Sequence, residues 1–181
     1  MDLHAQTGGI TVPTLRTQRL LLRGLRESDL NDVVRYADDY EVSKWLVPVA
    51  HPYTHTHAQQ FLQRNKAGEI GALWVMIQDG AFVGSISIGK ELGYWLARPA
   101  WGQGLMTEAA QTVIAHHFDT TDTGTIYSSH FVENIGSKRV LEKCGFVAVG
   151  GHIHHSLARQ ADVPGRSMEL SRARWDTLQN G

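Results

Sequence analysis

The chain is poor in cysteine. Cys144 is the single one among 181 residues, so no intramolecular disulfide can form. That fits a reducing compartment, and a cytoplasmic protein is expected. Long apolar runs are missing too. No stretch approaches the roughly 18 residues that cross a bilayer, so no membrane span is expected. An excess of either charge is absent: 17 Lys and Arg stand against 18 Asp and Glu, a formal net charge of -1. Such a balance gives no electrostatic case for nucleic acid or an anionic membrane as partner. The opening Met1 to Gly9 lacks the charged and then apolar pattern of a secretory signal. Internal repeats and low-complexity segments are lacking as well.

What remains is an ordinary globular composition, 42% hydrophobic and 19% charged. Disordered chains carry less apolar content and more net charge than this, so a folded chain is expected. The length suits one domain, expected over residues 17–181, with 1–16 as a loose lead-in. Thr17 to Arg23 reads as a first strand. Ser28 is a candidate N-cap, followed by Leu30, Val33, Val34 and Ala37 at the spacing of one buried helix face. Residues 40–57 are irregular and carry Trp45, Tyr53, His51, His55 and His57. Thr54 or Thr56 is expected to cap a second helix bearing Ala58, Phe61 and Leu62. Leu73 to Gln78 and Ala81 to Ile88 flank Asp79-Gly80, a two-residue hairpin signal.

The stretch from Glu91 to Glu108 organises the rest. Leu92, Tyr94, Trp95 and Leu96 form a short strand-like run. Pro99 marks a turn out of it. Gly102 and Gly104 follow, and Met106, Ala110, Val113, Ile114 and His117 then fall on one helix face. Strand, glycine turn and helix together build an anion site, because the first-turn amides of a helix lack internal partners and face the positive end of its dipole. Downstream, Thr125 to Phe131 is a strand. Asn134 opens a short helix with Val140, Leu141 and Cys144 inward, closed by Gly145. Phe146 to His155 and Ser167 to Arg172 are the last strands, with a mobile loop expected over Leu157 to Gly165. The mixed order of clustered strands and intervening helices is α+β.

Trp101-Gly102-Gln103-Gly104-Leu105-Met106 resembles the coenzyme A-binding motif, Gln/Arg-x-x-Gly-x-Gly/Ala, of the GNAT N-acetyltransferases. Gly104 matches; Trp101 and Met106 depart from the pattern. Asn134-Ile135-Gly136-Ser137, followed by Val140 to Phe146, resembles the family's Asn-x-x-Ser and aliphatic-Glu-Lys-x-Gly-Phe run. Thr17 to Arg23 is similar to the opening of the ribosomal-protein N-terminal acetyltransferase branch, RimJ/RimL-like. The resemblance implies a GNAT-like fold: a central mixed, mostly antiparallel sheet with a splayed cofactor-binding strand and helices on both faces. It implies acetyl-CoA as cofactor, a primary amine as acceptor (a protein N-terminus or a small molecule), and a monomer or homodimer. The connection between the first two helices is expected to form one wall of the acceptor groove.

Acetyl transfer to an amine requires a held cofactor, a polarised thioester carbonyl, a route for the amine proton and support for the departing thiolate. By resemblance, backbone groups of Tyr94, Trp95 and Leu96 hold pantetheine. Gly102, Gln103, Gly104, Leu105, Met106 and Thr107 hold the pyrophosphate, and Asn134 contacts the pantetheine arm. The resemblance favours Glu91 as base, since some family members carry a catalytic glutamate on this strand ten positions before the glycine motif, the spacing of Glu91 from Trp101. An acid among Ile88, Leu92, Tyr94 and Trp95 is expected to be desolvated, with its pKa raised. His130, Glu133, His154 or a water chain are the alternatives. The resemblance also favours Ser137 for the thiolate, since it matches the branch's serine three residues after the asparagine, while the helix tyrosine of other members is Leu141 here; helix capping is its plainer role. His152-x-His154 puts two imidazoles on one strand face, yet neither it nor His55-x-His57 has partners at a metal-ligand spacing. No metal is expected. A dinucleotide fingerprint is set aside because Gln103 to Thr107 supplies no third glycine. The rival reading is a non-catalytic acyl-CoA-binding module on the same fold.

Overall fold

The computed structural model describes residues 10–180. Most of the expected lead-in lies outside them. Two strands, β1 (Leu15–Arg16) and β2 (Leu21–Arg23), precede α1 (Leu30–Ala37), a short α2 (Tyr40–Ser43) and α3 (His55–Lys66). A meander follows: β3 (Ala72–Gln78), β4 (Ala81–Ile88) and β5 (Leu92–Leu96). Then come α4 (Leu105–Thr120), β6 (Thr125–Phe131), α5 (Ile135–Lys143), β7 (Val147–Ser156), β8 (Ala161–Ser171) and α6 (Arg172–Gln179).

The strands form two sheets. One runs β1-β2-β3-β4-β5 and the other β6-β8-β7, and every paired ladder is antiparallel. Alternation along the strands sends side chains to opposite faces. Leu22, Trp74, Met76, Ile86 and Leu92 meet α4, α5 and α6 in the larger core. Val75 and Phe82 meet Leu30, Val33, Ala58 and Leu62 of α1 and α3 in a second core. Helix α4 supplies more of the first than any other element, with Leu105, Met106, Ala109, Ala110, Val113, Ile114 and Phe118 all buried. Each of its large apolar side chains contributes about 1.5–3 kcal/mol by leaving water. The Asp79-Gly80 hairpin forms as expected, both residues at positive φ (49° and 82°).

The structure departs from the sequence expectations at four places. The first strand is interrupted, because Thr17 N–H donates to Leu20 O (3.0 Å) and the chain turns there. Ser28 does not cap α1. Asp29 accepts from Arg26 N–H (2.8 Å) and forms a two-pronged ion pair with Arg23 (2.7 and 2.8 Å), organising that corner instead. The loop expected from Leu157 to Gly165 is a tight turn, and β8 already begins at Ala161, with Pro164 opposite Ile153. Arg159 fixes this turn by donating to Lys44 O (2.9 Å) and pairing with Glu133 (3.0 Å). Helix α6 was not foreseen: it is capped by Ser171 and buries only Trp175, so it has no apolar stripe to read.

Asp29 is buried. Burial opposes its charge, but the hydrogen bonds from Arg23 and the Arg26 amide outweigh it and hold its pKa below the ordinary carboxylate value of 3.8. A depressed folded value stabilises the native state above the unfolded pKa, and that contribution is lost as pH falls through the folded value. Asp29→Asn is therefore expected to cost about 3 kcal/mol at pH 7. Its deficit against the wild type should shrink below about pH 4, as read by urea unfolding across pH.

Candidate active site

Among the described residues, strand β5 carries a backbone ladder on one edge only. It pairs with β4 from Leu92 opposite Ile88 to Leu96 opposite Gly84, and no backbone ladder joins it to β6. Ser128 Oγ of β6 donates to Leu92 O (2.8 Å), which ties the two sheets together at the start of β5. Ala97 N–H donates to Val83 O (2.9 Å), which fixes the alternation. Gly93, Trp95 and Ala97 turn their backbone groups toward β4, and Leu92, Tyr94 and Leu96 turn theirs away. Leu96 O is taken by the Trp101 indole N–H (2.9 Å). Tyr94 is thus the centre of the open edge. Trp95, expected among the backbone contacts, is corrected here: its amide and carbonyl face Ser85, and its side chain packs on Phe82 at 5.7 Å between ring centroids.

The glycine turn sits at the far end of this edge. Gly102 and Gly104 both have positive φ (74° and 77°), and Gly104 is the N-cap of α4. Among the described residues, no acceptor meets the amides of Gly102, Gln103, Gly104, Leu105, Met106 or Thr107. The helix positive end and a run of unpartnered amides make an anion cradle. Met106 does not obstruct it, because its side chain lies 4% exposed in the core beneath.

Glu108, in the first turn of α4, places a negative charge where an anion is to bind. Thr17 Oγ donates to it (2.5 Å), as do the Arg19 amide (2.8 Å) and the Arg19 Nε (2.7 Å). Burial opposes its charge, but these partners hold its pKa below the usual value. Arg19 also donates to Gln103 O (2.8 Å), so a guanidinium is fixed beside the glycines. Sequence reading missed this role. The signal was an acid in the first turn of an anion-binding helix, which needs a nearby cation.

Asn134 caps α5, its Oδ1 accepting from Ser137 N–H (3.0 Å). Ser137 Oγ lies 2.9 Å from the Tyr94 hydroxyl, which also donates toward Ser137 O (3.2 Å). Burial drives the Tyr94 phenol well above its ordinary pKa, with the Ser137 hydrogen bond opposing. Cys144 is buried, its thiol pushed up to about 12 by burial, which makes it core and not a nucleophile.

Glu91 is not desolvated, contrary to expectation. It lies in the turn before β5, is exposed, and accepts from Ser129 Oγ (3.3 Å). It occupies the face of β5 opposite Tyr94. His154 lies near enough to feel its charge: burial lowers the His154 pKa, neighbouring His152 adds to that, and Glu91 opposes. His152 and His154 hydrogen-bond through their Nε2 atoms, and His152 Nδ1 meets Ser167 Oγ (2.8 Å). His130 is buried against Phe131 O (2.8 Å), and Glu133 is engaged by Arg159. His57 closes the capping box of α3 with Thr54. Among the described residues, no group of three or more His, Cys, Asp or Glu side chains is placed to hold a metal. The segment after α2 packs on the β7–β8 turn: Trp45 lies under Arg159 (4.8 Å), and Leu157 N–H donates to Val47 O (3.3 Å).

A half-open sheet with an amide cradle at its end defines an acyl-CoA-binding acyltransferase fold. Residues 19–147 match the acetyltransferase (GNAT) domain model, and the chain belongs to that family of acetyl-CoA-dependent N-acetyltransferases. The uncharacterized N-acetyltransferase YnaD of Bacillus subtilis (strain 168) is 28% identical over 139 residues, 72% of this chain and 81% of that protein. Similar folds include Mycobacterium smegmatis RimJ in complex with CoA-disulfide (TM-score 0.74, 23% identity, 92% of this chain and 90% of that one). Spermidine N-acetyltransferase from Vibrio cholerae, in complex with CoA and spermine, is another (TM-score 0.74, 17% identity, 87% and 98%). No helix among the described residues is long and apolar enough to cross a membrane.

Arg19→Gln is expected to leave Glu108 unneutralised beside the cradle and to weaken coenzyme A binding by roughly tenfold, more at low salt. Adding Glu108→Gln should restore much of the affinity in calorimetric titration.

Proposed function

We propose that the chain transfers acetyl directly to a primary amine while donor and acceptor are bound together. The observation that carries this reading is the open edge of β5, with the amide cradle at one end and Ser137 across the gap. Bound acetyl-CoA would supply a thioester carbonyl and a thiolate leaving group. The amides of Gly102 to Thr107 would seat its pyrophosphate. The free backbone groups of Tyr94 and Leu96 N–H, together with the side-chain amide of Asn134, would align its pantetheine arm. Ser137 would donate to the departing sulfur.

The acceptor enters from the other face of β5, between the segment carrying Trp45 and the β7–β8 turn. Glu91 takes the amine proton there, with His154, held largely neutral near pH 7, as a neighbouring acceptor. Among the described residues, no activated nucleophile for a covalent acetyl-enzyme stands on the gap, since Cys144 is buried and inert. We favour an α-amine, such as a protein N-terminus or an amino acid. Its pKa near 7.7–8.0 leaves a sizeable neutral fraction at working pH, whereas alkylamines near 10.4 stay charged. Polyamines and aminated antibiotics are the other small acceptors of this class.

The test is free-thiol release from acetyl-CoA over a panel of peptide N-termini, amino acids and polyamines. Turnover on at least one amine is expected; tight coenzyme A binding with no turnover on any would make the chain a binding module. With an acceptor in hand, Glu91→Gln should lower kcat about 100-fold and alter the pH profile while sparing acetyl-CoA affinity. Unchanged turnover would remove Glu91 from the mechanism, and the same measurement on His154→Gln would then decide the base.

A further inference from the structure

The hydroxyl of Tyr94 has no place in the chemistry described so far, because backbone atoms at position 94 do the cofactor work. It is nevertheless aimed. Tyr94 leaves β5 on the face turned to α4 and α5 and packs against the larger core. Its oxygen meets Ser137 twice, at Oγ (2.9 Å) and at the backbone carbonyl (3.2 Å). Ser137 is held from its other side, where its amide donates to Asn134 Oδ1 (3.0 Å). The helix position at which a tyrosine would stand in the resembled motif is Leu141, which is fully buried. A phenol therefore does arrive at the first turn of α5, from the strand instead of from the helix.

We propose that Tyr94 is a positioning residue for the leaving thiolate and acts through Ser137. The inference rests on the acetyl-transfer reading above. The two hydroxyls have two hydrogen-bond arrangements. In one, the Tyr94 O–H donates to Ser137 O, and the Ser137 O–H is consumed by Tyr94 Oη. In the other, the Tyr94 O–H donates to Ser137 Oγ, and the Ser137 O–H is released toward the gap beside β5. The second serves the reaction. The amine nitrogen bonds to the acetyl carbon, and the C–S bond breaks with its electron pair left on sulfur. The amine proton goes to the base on the opposite face. Ser137 O–H donates to the sulfur, and Tyr94 O–H donates to Ser137 Oγ and polarises it. No proton leaves either hydroxyl, so no alkoxide or phenolate forms. The thiol gains its proton from water when the product departs. A phenol that burial keeps neutral suits this role, since it remains a donor throughout the working pH range.

The test compares Tyr94→Phe, Ser137→Ala and the double variant, with kcat and the KM for acetyl-CoA measured separately. Tyr94→Phe should lower kcat roughly tenfold with KM within about twofold of the wild type. The double variant should be no slower than Ser137→Ala alone, since the phenol acts only through the serine. A ring-fluorinated tyrosine at position 94, which keeps the shape and strengthens the O–H donor, should retain or raise kcat. It also serves if the Phe variant folds poorly. Additive losses, an effect confined to KM, or a fluorinated variant as slow as Phe would overturn the proposal. Wild-type inactivity on every amine would instead overturn the acetyl-transfer reading.

Discussion

A strand with one satisfied edge is costly unless something meets the other edge. The backbone of β5 carries donors and acceptors at Leu92, Tyr94 and Leu96 that turn away from β4. The protein fills this edge only in part: Ser128 takes the carbonyl of Leu92, and Trp101 takes that of Leu96. In the middle, the backbone groups of Tyr94 meet no partner among the described residues. Much else follows from keeping that edge open. The sheet must split into five and three strands, and α4 and α5 must hold the two parts together through a shared core. The turn after β5 must launch α4 so that its free amides continue the line of the strand.

The same strand separates the chemistry by face. Alternation sends Tyr94 toward α5, where Ser137 waits, and leaves Glu91 on the opposite side with Ser129 and His154. In the proposed reaction, thiolate support and proton removal would thus be divided across one strand, with donor and acceptor approaching from different directions. The segment near Trp45 is joined to the β7–β8 turn by Arg159.

Local grammar carried a good deal of this into the sequence. Asp79-Gly80 specified its hairpin, Gly102 and Gly104 specified the turn, and Asn134 and Gly145 marked the ends of α5. The buried faces of α1 and α4 were readable from spacing, because both have a defined apolar set. Contacts between distant residues were not readable. Arg19 meets Glu108 across 89 positions, and Tyr94 meets Ser137 across 43. Neither pair leaves a local pattern. The misplaced environment of Glu91 has a similar cause: apolar neighbours in sequence point to alternate faces of a strand, and the turn lifts the acid clear of all of them. Helix α6 shows the limit of periodicity, since one buried tryptophan among polar residues is not a stripe.

The central claim is that the open edge of β5 and the turn before α4 form one continuous cofactor site. A crystal structure of the complex with coenzyme A addresses it most directly. The account expects the pantetheine amides paired with the Tyr94 backbone and the pyrophosphate on the amides of Gly102 to Thr107. A cofactor bound elsewhere, or β5 closed onto β6 along its length, would contradict it.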